Sequence, residues 1–537
     1  MGMPARRCSR GESVNSAIGS MRSSPVGPGV ERRSAWWLPS RSWAPSLFVA
    51  VVAMVVVAIA RTSLVDDAYI TLSYARNLAF DGHWGLVPTA TANTATSVLY
   101  VWVLAGFTAI TRQPVLAMGI VYVLSALAVE YGLRRVARRT GLPAWFALLA
   151  ATLIVVNPLL ISSIGLETAL GAGLIALLLA SAVEDRPVVF GLLGGLLVLA
   201  RPDLAIVALV VFLVCHNWRR RWWWAPVAAI GITFPWYLWS WFALGSAVPI
   251  TFFIKTENST WSGFGNVYGF HNGLDLYFRV FPTATSLSVL PAVLGVLAAL
   301  IWVVLRVFRP TDRVRQLDRV APLALAGVLH YVAYSFLGVA PYHWYYGPSI
   351  ICTTMFLAAA VAAAATPAQR STVALRPRSG PLAVVVLLAV ACLGYYGSRE
   401  LPSRFAPIQT NWAAPEQYAQ IGSTVRAIAG DRVVASTGEV GAQAYFCDCA
   451  MADLFSNPAA VAGLLPSVMA KSGPIRRKLL DVNFHHFDWA PPGMKPELVL
   501  QFLKTPPANA IAVWIVDSPW TPGPGPGPNY IALVPTP

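Results

Sequence analysis

Leu47-Phe48-Val49-Ala50-Val51-Val52-Ala53-Met54-Val55-Val56-Val57-Ala58-Ile59-Ala60, followed closely by Asp66-Asp67, is the stretch whose reading decides the fold. An uncharged apolar run enters from a basic flank and gives way at once to two carboxylates. Runs of this kind recur along most of the 537 residues, and the chain is 56% hydrophobic and only 12% charged. Soluble domains carry about 25% charged residues, and a helix crosses a bilayer with about 20 mostly apolar residues. Lipid offers backbone groups no partners, so such runs must be helices. The expectation is an all-α polytopic membrane protein. A cleaved signal peptide is the rival reading of the first run, with Ala58-Ile59-Ala60 imitating a cleavage site; the long basic tail and the many later runs favour an uncleaved helix.

The net charge of +15 does not make a nucleic-acid footprint. Its arginines lie in short clusters between apolar runs, at Arg134, Arg135, Arg138 and Arg139, at Arg219 to Arg221, and at Arg306, Arg309, Arg313, Arg315 and Arg319. That is the positive-inside pattern, whereas nucleic acid calls for one basic face. Alternating the clusters across the bilayer, with residues 1–43 as a disordered cytoplasmic tail, predicts about eleven spans in a membrane domain over 44–397. The spans fall near 47–60, 115–133, 143–162, 168–183, 187–200, 204–217, 225–244, 285–305, 321–339, 345–365 and 381–397. Residues 94–111 are apolar too, but a span there would invert the charge rule. They read as a helix lying at the interface within a first external loop, 62–113. From residue 398 proline rises and apolar runs shorten. Strand-like stretches at 431–436 and 508–516 predict a small α/β domain over 398–537, outside the inner membrane, ahead of a Pro-Gly repeat at 522–528.

The cysteines and histidines show no zinc-ligand spacing. No cofactor is indicated, and a divalent-ion requirement is left open. Cys447 and Cys449 fit either a disulfide in an oxidising exterior or two free thiols. His485-His486 reads as a loop, and Asn258-Ser259-Thr260 matches a sequon too common to carry weight.

Carboxylates beside a membrane are costly unless they face water or a partner. Asp66 reads either as the N-cap of a helix over 68–80 or as a general base that takes a proton from an acceptor hydroxyl. Arg76, Arg201 and Lys255 are among the few cations on the external side, against the prevailing bias. They fit a phosphate grip, by a guanidinium fork or a point charge, or simple snorkelling from helix ends. His343, between Tyr342 and Trp344, reads as a sugar or phosphate contact or as packing. Glu167 reads as a second active-site carboxylate or a helix cap, and His83 and Trp84 as a sugar-stacking wall or an interface anchor.

Asp66-Asp67-Ala68-Tyr69-Ile70, Tyr74-Ala75-Arg76-Asn77-Leu78 and Gly82-His83-Trp84-Gly85-Leu86 resemble the first external loop of actinobacterial cell-wall arabinofuranosyltransferases of the GT-C class, in particular the family adding terminal β-linked arabinofuranose. Ser163 to Leu170, Leu199 to Asp203, Pro249 to Lys255, Tyr342 to Tyr345 and Gly438 to Tyr445 are similar to further family motifs, in the same order, over residues 45–460. Thr96-Ser97-Val98 departs from the Thr-Asn-Pro-like turn of that family, which bears on the acceptor more than on the class. The resemblance implies a GT-C membrane domain with a C-terminal α/β domain, and Asp66, the first of the pair, as base with Asp67 beside it. It also implies a decaprenyl-phosphoryl arabinofuranose donor and a cell-wall arabinan or lipoglycan acceptor. A polyprenyl-phosphate-mannose mannosyltransferase shares this chemistry. A lipid-linked-sugar flippase would place ionisable groups near the midplane in two related halves, and no repeat is visible.

Eleven spans after a cytoplasmic N-terminus put the C-terminus outside. A tag at Pro537 is expected to be accessible from the non-cytoplasmic side in intact cells; accessibility from the cytoplasm alone breaks this map.

Overall fold

The computed structural model describes residues 43–214, 221–257, 269–337, 339–366, 379–436, 438–520 and 528–536. The basic tail to residue 42, Cys8, Cys215, Arg219, Arg220, the Asn258 sequon, the basic loop at 370–378 and most of the Pro-Gly repeat lie outside the described residues.

Each long apolar run is a helix, and proline and glycine set the limits. α1 is Ala44–Ala60, α2 Asp66–Asp81, α3 Val98–Thr111, α4 Pro114–Thr140, α5 Trp145–Val155, α6 Pro158–Ser162, α7 Thr168–Val183 and α8 Pro187–Ala200. After a 3-10 turn at Pro202–Leu204 come α9 Ala205–Val214, α10 Trp224–Ala243, α11 Thr251–Glu257, α12 Phe270–Val280, α13 Pro282–Phe308, α14 Asp312–Gln316 and α15 Ala321–Leu337. A second 3-10 turn, His343–Tyr346, leads into α16 Gly347–Ala365 and then α17 Ser379–Gly397. Pro114, Pro187 and Pro282 open α4, α8 and α13 at the first position, where no amide hydrogen is needed. α2 and α4 stop at Gly82 and Gly141, whose φ of 64° and 75° lies in the left-handed region.

Among the described residues, four segments are long and apolar enough to cross a membrane on length and composition alone: α4, α13, His343–Ala365 and Gly380–Gly397. α16 is buried along most of its length and forms the centre of the bundle. α13 turns Leu297, Ile301, Val304 and Phe308 outward, as a lipid-facing helix does. The predicted span at 143–162 is divided. Asn157-Pro158 breaks it into α5 and α6, and the Asn157 side chain accepts N–H bonds from Leu159 and Leu160 at 3.1 and 3.2 Å while donating to the Ser288 carbonyl of α13 at 3.0 Å. The apolar stretch at 94–111 forms α3, packed on α2, α4 and α8, with Trp102 and Ile110 exposed.

Small residues bring helices close where lipid supplies no hydrophobic drive between them. Gly191 and Gly195, four apart on α8, face α10. A Cβ on Gly191 would stand 2.1 Å from the Ala225 carbonyl oxygen, whereas one on Gly194 would meet nothing nearer than 3.7 Å.

Beyond α17 the chain folds as α18 Pro415–Ala429, β1 Val434–Ala435, α19 Val440–Cys447, β2 Met451–Ala452, α20 Pro458–Lys471, α21 Pro474–Asn483, β3 Leu498–Leu503, β4 Ala512–Val516 and β5 Asn529–Pro535. The sheet order is β2-β1-β3-β5-β4, with β1 parallel to both neighbours and β5 antiparallel to β3 and β4. The strand expected at 431–436 shrinks to two residues and that at 508–516 to Ala512–Val516. β3 and β5 carry the longest pairing and have no counterpart among the predicted strands. Cys447 and Cys449 are joined as a disulfide.

Gly191→Ala is expected to push α8 off α10 and lower stability by about 1–3 kcal/mol, the usual cost of overpacking. Gly194→Ala, three residues on, brings its Cβ only into ordinary contact with Ala208 and Leu178 and is expected to be near neutral. Thermal unfolding of both variants in the same detergent checks the pair; equal effects would contradict the close α8–α10 contact.

Candidate active site

Two helix starts meet in the candidate site. α2 begins with Asp66, and α19 begins beside it; a Cβ on Gly441 would sit 2.1 Å from the Asp66 carbonyl oxygen and 2.9 Å from Ile70 Cγ1. Asp66 is therefore not an N-cap. Val65 takes that place, and Asp66 is the first helical residue. Its carboxylate instead accepts the free N–H groups at the start of the other helix, from Ala442 at 2.7 Å and Gly441 at 3.3 Å. Asn411 locks the approach: its Oδ1 accepts the Asp66 amide at 2.9 Å and its Nδ2 donates to the Leu64 carbonyl at 3.1 Å.

The electrostatics of the pair diverge. Burial pushes Asp66 up to about 7; the Ala442 and Gly441 N–H groups oppose that rise, and the adjacent Asp67 and more distant Asp453 reinforce it. Asp67 has a cation of its own, accepting from Lys255 Nζ at 2.7 Å. Burial alone lowers the Lys255 ammonium, but Asp67 outweighs it and holds the proton more firmly than usual. Lys255 lies over the rings of Tyr342, Trp344 and Tyr345, at 5.0, 5.6 and 6.0 Å from their centroids. The turn quoted as Tyr342 to Tyr345 is thus an aromatic wall for one ammonium.

Glu439 is a third carboxyl of this cluster. Its oxygens accept the Trp412 N–H at 2.9 and 3.0 Å and the Tyr418 hydroxyl. Burial, followed by the nearby Asp66 charge, raises it well above the carboxylate range and favours its neutral form.

On the far side of Tyr345 sits Arg201, its guanidinium 5.3 Å from the ring centroid. It is only 4% exposed and is held by a two-pronged bond to Asp203 at 2.8 Å and by the Tyr334 hydroxyl at 3.0 Å. Asp203 also accepts from His330 Nε2 at 2.8 Å, and His330 Nδ1 meets Ser349 Oγ at 3.1 Å. Glu167 approaches Arg201 Nη1 at 3.6 Å, an ion pair without a hydrogen bond, so Nη1 keeps donor capacity.

The remaining predicted residues are engaged elsewhere. Arg76 pairs with Asp448 at 2.7 Å, donates to the Tyr445 carbonyl at 3.0 Å and lies over the Tyr445 ring, tying the middle of α2 to α19. His83 Nε2 contacts the Val87 and Ala90 carbonyls at 3.2 and 3.1 Å, within its own loop. Trp84 is buried against Tyr74, Trp102 and Trp236. His343 is fully buried, and its Nε2 faces the Ser162 carbonyl at 3.3 Å. Among the described residues no three His, Cys, Asp or Glu side chains converge as a metal site.

Sequence reading misses Asn411 and His330 as members of this cluster. Each is a single polar residue with no local pattern, and only chain separations above one hundred residues bring Asn411 and His330 to their partners.

No family model matches this sequence, and no curated protein matches it. Solved structures do. ArnT from Cupriavidus metallidurans bound to undecaprenyl phosphate superposes with a TM-score of 0.53 at 14% identity, over 91% of this chain and 98% of ArnT. Its apo state gives 0.50 at 14% identity, over 90% and 97%. Arabinofuranosyltransferase AftD from mycobacteria reaches 0.45 at 14% identity, over 92% of this chain and 40% of that one, too distant to argue from. At such identities the likeness is one of fold, and it spans both the helical bundle and the C-terminal sheet: this chain shares the fold of ArnT.

Proposed function

We propose that this protein is a GT-C glycosyltransferase that moves arabinofuranose from decaprenyl-phosphoryl arabinose to a cell-wall arabinan or lipoglycan acceptor. In this reading the N-terminus is cytoplasmic, eleven helices cross the inner membrane, and the site and the 398–537 domain face the periplasm. The fold supports the class, and ArnT was solved with a polyprenyl phosphate bound. The ordered motifs of the sequence support the pentose. A polyprenyl-phosphate mannose donor is the alternative within the same chemistry.

The observation that carries the reading is the unequal carboxylate pair, with Asp66 poised near neutrality and Asp67 neutralised by Lys255. A general base works best when its pKa lies near the working pH. Asp66 takes the acceptor hydroxyl proton as that oxygen bonds to the anomeric carbon. The bond from that carbon to the phosphate oxygen breaks, and the polyprenyl phosphate leaves with the electron pair. Carboxylate charge nearby stabilises the oxocarbenium-like transition state. Lys255, on the aromatic wall, and Arg201, through Nη1, are the cations for the donor phosphate, with Tyr345 between them. Tyr342 and Trp344 offer faces for the sugar. Glu167 and Arg76 act here as holders of Arg201 and of α19, and His343, His83 and Trp84 as packing for the walls.

Asp66→Asn keeps a carbonyl oxygen for the Ala442 N–H, so it is expected to fold, bind donor and lose about 100- to 10,000-fold in transfer rate. Near-normal turnover, measured with labelled arabinose and mannose donor lipids in parallel, defeats the assignment. Wild-type transfer is expected to fall about tenfold per pH unit below about pH 7, as Asp66 takes up its proton. In Asp67→Asn the neighbouring negative charge is gone and Lys255 is freed, so the acid limb moves to lower pH. An unmoved limb would separate Asp66 from the profile.

The two cations are expected to separate as well. Lys255→Gln leaves a folded protein with weakened donor binding. Arg201→Gln strands the buried Asp203, and breaking such a pair costs about 3–5 kcal/mol; it should show first as lost thermal stability. Unchanged donor affinity in Lys255→Gln returns that residue to a structural partner of Asp67.

A further inference from the structure

α21 is a short amphipathic helix whose apolar face is turned away from the protein. Ile475, Leu479 and Val482 are 80%, 67% and 58% exposed. Their i, i+4, i+7 spacing puts them on one stripe. Leu480, on another side, is buried and attaches the helix to its own domain. Lys478 and Arg476 flank the stripe, and Arg477 stands on the opposite side. A soluble domain has no reason to present three large aliphatic side chains in a row to water.

What covers them is shown by where α21 ends. Trp241, near the C-terminal end of α10, donates its indole N–H to the Val482 carbonyl at 2.9 Å. The His486 ring lies 4.6 Å from both Trp241 and Phe242. Just past α10, Gly245 has a φ of +76° and lets the chain run against Phe487, whose Cα would be 2.9 Å from a Cβ there. α10, the predicted span at 225–244, is less apolar than the four segments named above, but it is 20 residues long, about 30 Å at 1.5 Å per residue, the thickness of the hydrocarbon core. It exposes Val227, Ile230, Phe234, Trp239 and Phe242, ending in the aromatic residues that favour the membrane–water boundary. The C-terminal end of α21, and with it the end of its apolar stripe, therefore lies beside the aromatic end of α10.

We infer that α21 lies in the outer bilayer interface, with Ile475, Leu479 and Val482 in the acyl boundary and Lys478 reaching anionic lipid headgroups. Interfacial helices of this kind sink about 5–10 Å into that zone, and long basic side chains bend back to the headgroups. The C-terminal domain is then held to the membrane at two points, through the bundle and through α21. The inference rests on the membrane placement of α10 and is independent of which sugar the enzyme transfers.

Full-length protein in lipid nanodiscs, with the four cysteines outside the Cys447–Cys449 disulfide replaced, tests it. A nitrobenzoxadiazole probe is placed at Ile475→Cys, Leu479→Cys or, on the far face, Arg477→Cys. All three positions are exposed, so the core is untouched, and thermal unfolding of each labelled variant confirms this. The probes at 475 and 479 are expected to emit blue-shifted and to be quenched at least twofold more by shallow nitroxide-labelled phospholipid than the probe at 477. Water-like emission at all three positions overturns the inference. A blue shift at 475 and 479 without quenching also overturns it, assigning the stripe to a protein contact such as a second copy of this chain.

Discussion

The contact between the Asp66 carboxylate and the first N–H groups of α19 is the constraint on which the rest of the arrangement depends. A helix start carries unsatisfied N–H groups and a partial positive charge, and a carboxylate at the membrane boundary needs a partner. Each answers the other. The contact demands that two helix starts approach within backbone distance, which only Gly441 permits. It also fixes the C-terminal domain on the bundle, because α19 pairs with α18 and lies between β1 and β2 in the chain. Further ties accumulate around it: Thr94 Oγ1 to the Phe455 carbonyl at 2.7 Å, Ile408 N–H to Ser162 Oγ at 2.8 Å and Ser403 N–H to the Ile59 carbonyl at 3.3 Å. One apolar core runs from α1 through the bundle to β3 and β5.

That continuity explains what the sequence discloses and what it withholds. The helices are legible because each apolar run must satisfy its own backbone in lipid, and a local rule suffices. Asp66, Asp67, Lys255 and the Tyr342–Tyr345 turn are legible as polar or aromatic interruptions at run ends, and the structure brings them into one cluster. Asn157 is different: its effect on the helix depends on Ser288, far along the chain, so composition reads one span where there are two helices. Asn411 and His330 are ordinary polar residues in sequence and become part of the cluster only through long-range pairing. The sheet is obscure for the same reason. β1 and β2 have two residues each and take their conformation from their neighbours rather than from any alternation.

Arg76 and Arg201 show that a sparse cation comes with a carboxylate partner. Both stand out against the charge bias, and both meet carboxylates that the bias also makes rare, Asp448 and Asp203. A buried guanidinium has five donors to satisfy, so a nearby acid is a requirement of its burial, and phosphate binding must use what is left over. For Arg201 that remainder is Nη1. Lys255 is freer in this sense, since aromatic faces supply much of its surroundings and only Asp67 supplies the counter-charge.

The acidic cluster shows why adjacency produces two unlike groups. The charge of a neighbouring carboxylate disfavours ionisation, and Asp67 acts on Asp66 in this way, adding to the effect of burial. Lys255 pairs with Asp67. Asp66 receives two N–H bonds but no full positive charge, so burial wins and its proton affinity rises. Glu439, enclosed and near Asp66, is pushed further still towards its neutral form. One cation placed on one side of the cluster thus leaves three unlike carboxyls: one paired with Lys255, one whose proton affinity rises to near neutrality, and one pushed further towards its neutral form. Paired carboxyls whose surroundings separate their proton affinities divide acid–base labour, and here the asymmetry originates in the single position of Lys255 on its aromatic wall.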